Sequence, residues 1–293
     1  MRAFGPLVAA LAIGASFFPE RSLGQSTPTV VQRYDDADEF LPQAERRNSD
    51  GVRLYLRQQS GEETFDVLTP RNVLVKIVGR IPEGARKGVL LFTGGSGVLS
   101  IGGDNKLDRS FAFLNRTRDT WWDLGFATFV VDAPSDKLDK SGIDSRFRAG
   151  SDYAKDLVAV IDAVKKRFSE PLFAVGISNG AISVANAASR ATGALSGYVL
   201  ISPAHYRNSG GELIAGAQYD KPVWIVASHN DECSVSPSRE YEALARNISA
   251  PSVDFQWIDG GKRPISGPCG PFSAHSLFGI EGEAIRAIAA RMK

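Results

Sequence analysis

Gly176-Ile177-Ser178-Asn179-Gly180 places a serine between two glycines, where an apolar run ends and a stretch of small residues begins. A plain tight turn would use such residues. So would a turn built to present a hydroxyl for nucleophilic attack. In the second case the strand-to-helix bend forces the serine into a strained backbone conformation. Glycines on either side admit the crowded neighbouring backbone, and the following helix offers its positive end to an oxyanion.

A serine hydroxyl is a weak nucleophile without a base held by an acid. In a strand-turn-helix setting those partners follow in the order serine, acid, histidine. The strand-like "KPVWIVAS" ends in "HNDECS", which carries Asp231, and the later loop "GGKRPISGPCGPFSAHSLFG" carries His275. Ser178, Asp231 and His275 thus fall on three successive loops in the required order. Glu232 is an alternative acid, Asp259 is a further rival, and His205 and His229 could shape a pocket rim. The glycine-rich "FTGGSGV" after a buried strand lacks the Lys-Ser/Thr of a phosphate loop and does not follow Gly-x-Gly-x-x-Gly into a helix. It suits an oxyanion loop, in which an amide N–H near Gly94 or Gly95, here assigned to Gly95, pairs with that of Asn179.

Elements that could hold these loops are legible along the chain. Strand-like runs occur in "VRLYLRQQ", "NVLVKIVGRIP", "GVLLFTGGSG", "FATFVVDAP", "PLFAVGIS", "LSGYVLISP", "KPVWIVASHND" and "SVDFQWIDG". Helical spacing appears in "LNRTRDTWWDLG", in "SDYAKDLVAVIDAVKKRF" with a Ser/Asp cap, in "GAISVANAASRAT" and in "GIEGEAIRAIAARM". Alternating strands and helices predict a mostly parallel sheet covered on both faces. About 18 residues join the sixth and seventh strands, too few for a large lid. Trp121 and Trp122 read as core, whereas Phe147, Tyr206 and Phe272 could be core or pocket.

Hydrophobic residues make up 43% of the 293, enough for a sizeable core, and no break in composition follows residue 50. One domain over 51–293 is expected, preceded by a polar arm over 25–50. Residues 1–24 read as an export signal: Arg2, a short apolar core, then Ser22 and Gly24 at −3 and −1 of a cut after Gly24. Residues 25–293 would carry 32 basic and 32 acidic residues. No surplus of positive charge argues for nucleic acid, and no other apolar run reaches membrane-spanning length.

In a secreted or periplasmic protein, the two cysteines, Cys233 and Cys269, are expected to form a disulfide between the acid and histidine loops. Closing a loop of that size is worth about 4 kcal/mol on the chain-entropy model. Their spacing fits no zinc pattern, and the chemistry calls for neither metal nor organic cofactor.

The elbow Gly176–Gly180, Asp231, His275 and the Thr93-Gly94-Gly95 loop resemble the α/β-hydrolase superfamily from about residue 65 onward. The resemblance implies an eight-stranded, mostly parallel sheet and hydrolysis through an acyl-serine intermediate. The export signal, the disulfide and the missing lid are also similar to secreted cutinase-like, polyester-degrading esterases. Those carry Trp/His-Ser-Met/Gln at the elbow, where this chain has Ile-Ser-Asn. The expected partner is a small or polymeric ester. A serine peptidase or amidase, or a non-catalytic binding module on the same scaffold, are the other readings.

Overall fold

The computed structural model describes residues 61–99, 101, 112–139, 141–206 and 210–293. The expected signal, arm and "VRLYLRQQ" strand lie outside these residues. Eight strands form one sheet: β1 (Glu63–Leu68), β2 (Leu74–Arg80), β3 (Lys87–Phe92), β4 (Phe126–Pro134), β5 (Leu172–Ile177), β6 (Gly197–Ile201), β7 (Val223–Ala227) and β8 (Val253–Trp257). Their order is β1-β2-β4-β3-β5-β6-β7-β8. β1 and β2 pair antiparallel, as do β2 and β4, and all other neighbours are parallel. After β3 the chain moves to one side for β4 and then crosses to the other for β5. The carboxyl ends of β3 and β5 therefore flank a topological switch point, where open α/β sheets form their ligand crevice.

Period-two alternation sorts the central apolar runs into two cores. In β3, Leu90 and Phe92 face one layer, while Val89 and Leu91 face the other. The first layer is α3 (Ser145–Ala149), α4 (Ser151–Arg167), α5 (Gly180–Arg190), α6 (Leu213–Gly216) and α7 (Tyr241–Asn247); the second is α1 (Phe113–Arg116), α2 (Arg118–Asp123) and α8 (Glu281–Ala289). α4 buries Tyr153, Leu157, Val160, Ile161 and Val164, which recur at helical spacing, and ends in Lys165, Lys166 and Arg167 at its negative pole. α5 packs so closely on the sheet that Ala181, Val184, Ala185, Ala187 and Ala188 are wholly buried. Small side chains are what let its backbone approach.

One strand is added to the expected set and two local expectations are corrected. The first described strand is β1, whose "ETFDVL" alternates weakly because only Val67 of its six residues is buried. "LNRTRDTWWDLG" is two short helices broken at Thr117, whose hydroxyl donates to the Phe113 carbonyl at 2.7 Å. α4 is capped by the backbone of Gly150, with Ser151 and Asp152 already inside its first turn. The side-chain cap lies one helix earlier: Asp144 accepts from the Phe147 N–H at 2.8 Å at the start of α3.

Candidate active site

β5 runs buried into Ser178, which turns the chain with φ 54°, and α5 starts two residues on. A non-glycine residue in this left-handed region stores strain on the order of 1–3 kcal/mol. The turn is held by bonds from Ser178 N–H to the Ile201 carbonyl (2.9 Å) and from the Ala181 and Ala204 N–H groups to the Ser178 carbonyl (3.0 and 3.2 Å). The flanking glycines are sterically required. A Cβ on Gly176 would lie 2.3 Å from the Gly180 carbonyl oxygen, and one on Gly180 would lie 2.0 Å from that of Phe92.

The loop after β7 carries Asp231, and the loop after β8 carries His275 in a short 3-10 turn; both are buried. His275 Nδ1 and Asp231 Oδ2 are 2.8 Å apart. Tyr241 at the start of α7 donates to the same oxygen at 2.7 Å, and the Cys233 N–H donates to Asp231 Oδ1 at 2.9 Å. Burial and the adjacent Asp231 charge push the Tyr241 phenol well above its ordinary pKa, so it remains a donor. Ser236 Oγ lies 3.2 Å from His275 Nδ1. On the opposite side of the ring, Nε2 is buried without a hydrogen-bond partner among the described residues. Glu232 is exposed, and Asp259 is engaged 2.5 Å from Nδ1 of the exposed His229. Of the three candidate acids, the fold brings Asp231 to His275.

The two cysteines are bonded, with Cα atoms 4.6 Å apart, so the backbone beside Asp231 is tied to the histidine loop. Although Asp231, Cys233 and His275 cluster closely, the oxidised sulfur is not available as a thiolate ligand to a metal.

The third piece stands at the end of β3. Gly94 lies against the nucleophile turn, where a Cβ would come within 3.0 Å of both the Ile177 carbonyl oxygen and Ser178 Cβ. Gly95 adopts φ 59°. The Asn179 side chain fastens this loop, with Nδ2 donating to the Gly95 carbonyl (3.3 Å) and Oδ1 accepting from Ser145 Oγ (3.2 Å). Further along, buried Asp132 at the end of β4 accepts from the Leu99 and Ile101 N–H groups at 2.7 and 3.0 Å.

These loops surround a pocket of about 270 Å³ lined by Thr93, Gly94, Gly95, Ala112, Phe113, Ile177, Ser178, Cys269, Pro271, His275 and Ser276. Among the described residues, none that lines the pocket carries a carboxylate, ammonium or guanidinium. A larger hollow beside β1 and α4 contains neither serine nor histidine and is remote from this chemistry. Trp121 is wholly buried, stacked edge-on to Phe126, while Trp122 donates to Thr128 Oγ1 at 2.7 Å. Phe147, Tyr206 and Phe272 do not line the pocket; among the described residues its aromatic wall is Phe113. Nor do the other two histidines: His205 Nδ1 is 2.9 Å from the Pro203 carbonyl, and His229 stacks on Trp257 at 3.9 Å.

Behind the wall, Arg116 of α1 forms a buried pair with Glu281 of α8 (2.7 Å) and donates to the Ser276 carbonyl at 3.4 Å. That places an ion pair directly behind both Phe113 and the histidine loop. Sequence reasoning missed Arg116, Tyr241, Ser236 and Asp132, because each acts on residues distant in the chain and belongs to no short motif.

A family model described as serine aminopeptidase, S33 matches residues 123–214. No curated protein sequence matches the chain. Among solved structures, an alpha-beta serine hydrolase homologue from Coxiella burnetii is 20% identical with a TM-score of 0.55, over 80% of this chain and 98% of that one. A dienelactone hydrolase from Anabaena variabilis is 15% identical with a TM-score of 0.54, over 79% and 97%. A serine hydrolase without a lid from Xanthomonas campestris is 13% identical with a TM-score of 0.52, again over 79% and 97%. These likenesses share the sheet and its layers.

Proposed function

We propose that the chain is a serine hydrolase of the α/β-hydrolase superfamily, cleaving uncharged carboxylic esters through an acyl-serine intermediate, a reading supported by the fold and by the family match over residues 123–214. The observation that carries this reading is the state of His275. One ring nitrogen is engaged by a buried carboxylate, and the other is unpartnered in a histidine that shares its pocket with Ser178. In apo proteins the serine–histidine bond commonly tightens only when substrate arrives.

In the proposed cycle, Ser178 Oγ attacks the ester carbonyl while His275 Nε2 takes its proton. Asp231 keeps the imidazole proton on Nδ1 and stabilises the imidazolium. The tetrahedral oxyanion is held by backbone N–H groups of Asn179 and Gly95, neither of which donates to another described residue. His275 then returns the proton to the leaving alcohol. Water, activated by the same histidine, releases the acid. The apolar wall of Phe113, Ile177 and Pro271 suits a neutral acyl or aromatic group.

The family match raises a second reading, an aminopeptidase. Recognition of a free α-ammonium group calls for a carboxylate beside the reacting carbonyl, and none of the described residues that line this pocket carries one. Fluorophosphonate labelling of wild type and Ser178→Ala tests the nucleophile, while matched nitrophenyl esters and aminoacyl nitroanilides separate the two reactions. The expected result is labelling and ester turnover in wild type and neither in the variant. A well-folded wild type that resists the probe and turns over nothing would end the hydrolase reading.

The proposal includes export to a secreted or periplasmic location, supported by the pattern of residues 1–24 and by the disulfide. N-terminal sequencing of the mature protein is expected to begin at Gln25; an intact Met1 on protein recovered from the cytoplasm would contradict it.

A further inference from the structure

Arg148 lies in α3, 1% exposed, and its guanidinium reaches four acceptors. Nη1 donates to Ser183 Oγ at 2.7 Å and Nε to the Ile143 carbonyl at 3.2 Å; Nη2 donates to the carbonyls of Thr93 (3.1 Å) and Gly95 (3.4 Å). None of these acceptors is a carboxylate. Taking a cation out of water without a paired anion costs several kcal/mol, and an apolar side chain of similar volume would fill the space without that cost. Burial lowers the Arg148 pKa to about 10, against the opposing pull of Tyr153 and Asp144, which leaves it charged at neutral pH. Its surroundings are shaped to it. Asn186 Nδ2 holds the Arg148 carbonyl at 2.7 Å, and a Cβ on Gly97 would meet Nη2 at 2.5 Å.

The charge is directed at the loop that touches the nucleophile turn. In a trans peptide, C=O and N–H point in opposite directions, and no peptide bond here is cis. The Thr93 carbonyl is held by Arg148, so the Gly94 N–H is turned away from the guanidinium. The Gly94 carbonyl accepts from the Gly97 N–H at 3.2 Å, which fixes the Gly95 N–H in the same manner. The Gly95 carbonyl is shared by Arg148 and Asn179. Arg148 thus holds the carbonyls on both sides of the Gly94–Gly95 peptide, and the Gly97 N–H holds the carbonyl within it.

We propose that Arg148 is a positioning residue for transition-state binding: its guanidinium anchors the Thr93 and Gly95 carbonyls on either side of the Gly94–Gly95 peptide, so that the Gly95 N–H is set for the oxyanion at Ser178. The proposal rests on the serine-hydrolase reading. It adds a residue thirty positions before Ser178 in sequence whose influence passes through the backbone of the Thr93–Gly95 loop.

The test compares wild type, Arg148→Met and Arg148→Lys. Active sites are counted by fluorophosphonate titration, kcat and KM are measured with a nitrophenyl ester, and a boronic acid serves as the tetrahedral-adduct probe. By analogy with the loss of one oxyanion donor, kcat per titrated site should fall about 100-fold in Arg148→Met, with KM within about threefold. In Arg148→Lys the charge persists but one ammonium cannot reach all four acceptors, so a fall of roughly tenfold is expected. The boronate inhibition constant should rise in step with the fall in kcat/KM in each variant. A purely structural role would lower the number of titratable sites and leave each surviving site unaltered. That outcome overturns the proposal, as does an unchanged boronate affinity in either folded variant. If Arg148→Met does not fold, Arg148→Lys decides alone: kcat per site within twofold of wild type refutes the role. A wild type that fails to titrate defeats the hydrolase reading itself, a result distinct from any difference among variants.

Discussion

Asp231→Asn is expected to lower kcat about 10⁴-fold while leaving the fold intact, the size of effect that accompanies a reversed histidine tautomer. The reason lies in three donors that converge on one carboxylate. Cys233 N–H points at Oδ1, while Tyr241 OH and His275 Nδ1 point at Oδ2. An asparagine that keeps its oxygen toward Cys233 must face His275 with its NH2 group. The imidazole then accepts at Nδ1 and carries its proton on Nε2, where the base is needed. The flipped amide would instead set its NH2 against the Cys233 N–H, so neither orientation restores the native pattern. Glu232→Gln, altering an exposed side chain without contact to His275, serves as the control with unchanged kcat. Steady-state kinetics on both variants check the assignment. A tenfold or smaller loss in Asp231→Asn, or a large loss in the control, would place the acid elsewhere.

Gly180→Ala is expected to destabilise the protein by more than about 3 kcal/mol, beyond the usual range for an overpacked core. Helix propensity alone predicts the opposite sign, since alanine inside a helix is favoured over glycine by about 1 kcal/mol. The steric term decides. A Cβ at this first residue of α5 would stand 2.0 Å from the Phe92 carbonyl oxygen and 3.0 Å from that of Thr93. Both are backbone atoms at the end of β3, so relief requires moving the helix, the central strand or the loop at Ser178. Gly216→Ala, in a helix with nothing near the added methyl, should be neutral or slightly stabilising. Thermal melts of the pair measure the difference; equal melting temperatures would show that the elbow tolerates movement.

The same contrast between local and distant causes separates what could be read from sequence and what could not. Gly176, Ser178 and Gly180 were legible because an elbow is a five-residue object whose steric demands act between near neighbours. Asp231 and His275 were legible through chain order and the ends of buried strands, with Glu232 left as an alternative until burial separated it from its neighbour. The apolar runs of β3, β4 and β5 announced a sheet covered on both faces. β1 was harder to see, since one face of that edge strand is exposed and its alternation is weak. The break at Thr117 was hidden because apolar spacing continues through it while the hydroxyl redirects the backbone.

By itself, then, the sequence determined the element types, the order of the candidate triad and the glycines without which the serine turn cannot close. Those are consequences of periodicity, chain order and sterics within a few residues. Only the tertiary structure decided that Asp231 rather than Glu232 meets His275, that Tyr241 and Cys233 N–H hold the carboxylate, that Phe113 rather than Phe147 walls the pocket, and that Arg148 grips the loop beside Ser178. Apart from the Cys233 and Tyr241 bonds, which reach two and ten residues along the chain, each of those is a contact between segments far apart in sequence. Directional bonds such as these exist only once the sheet order has brought the carboxyl ends of β3, β5 and β7 to one edge.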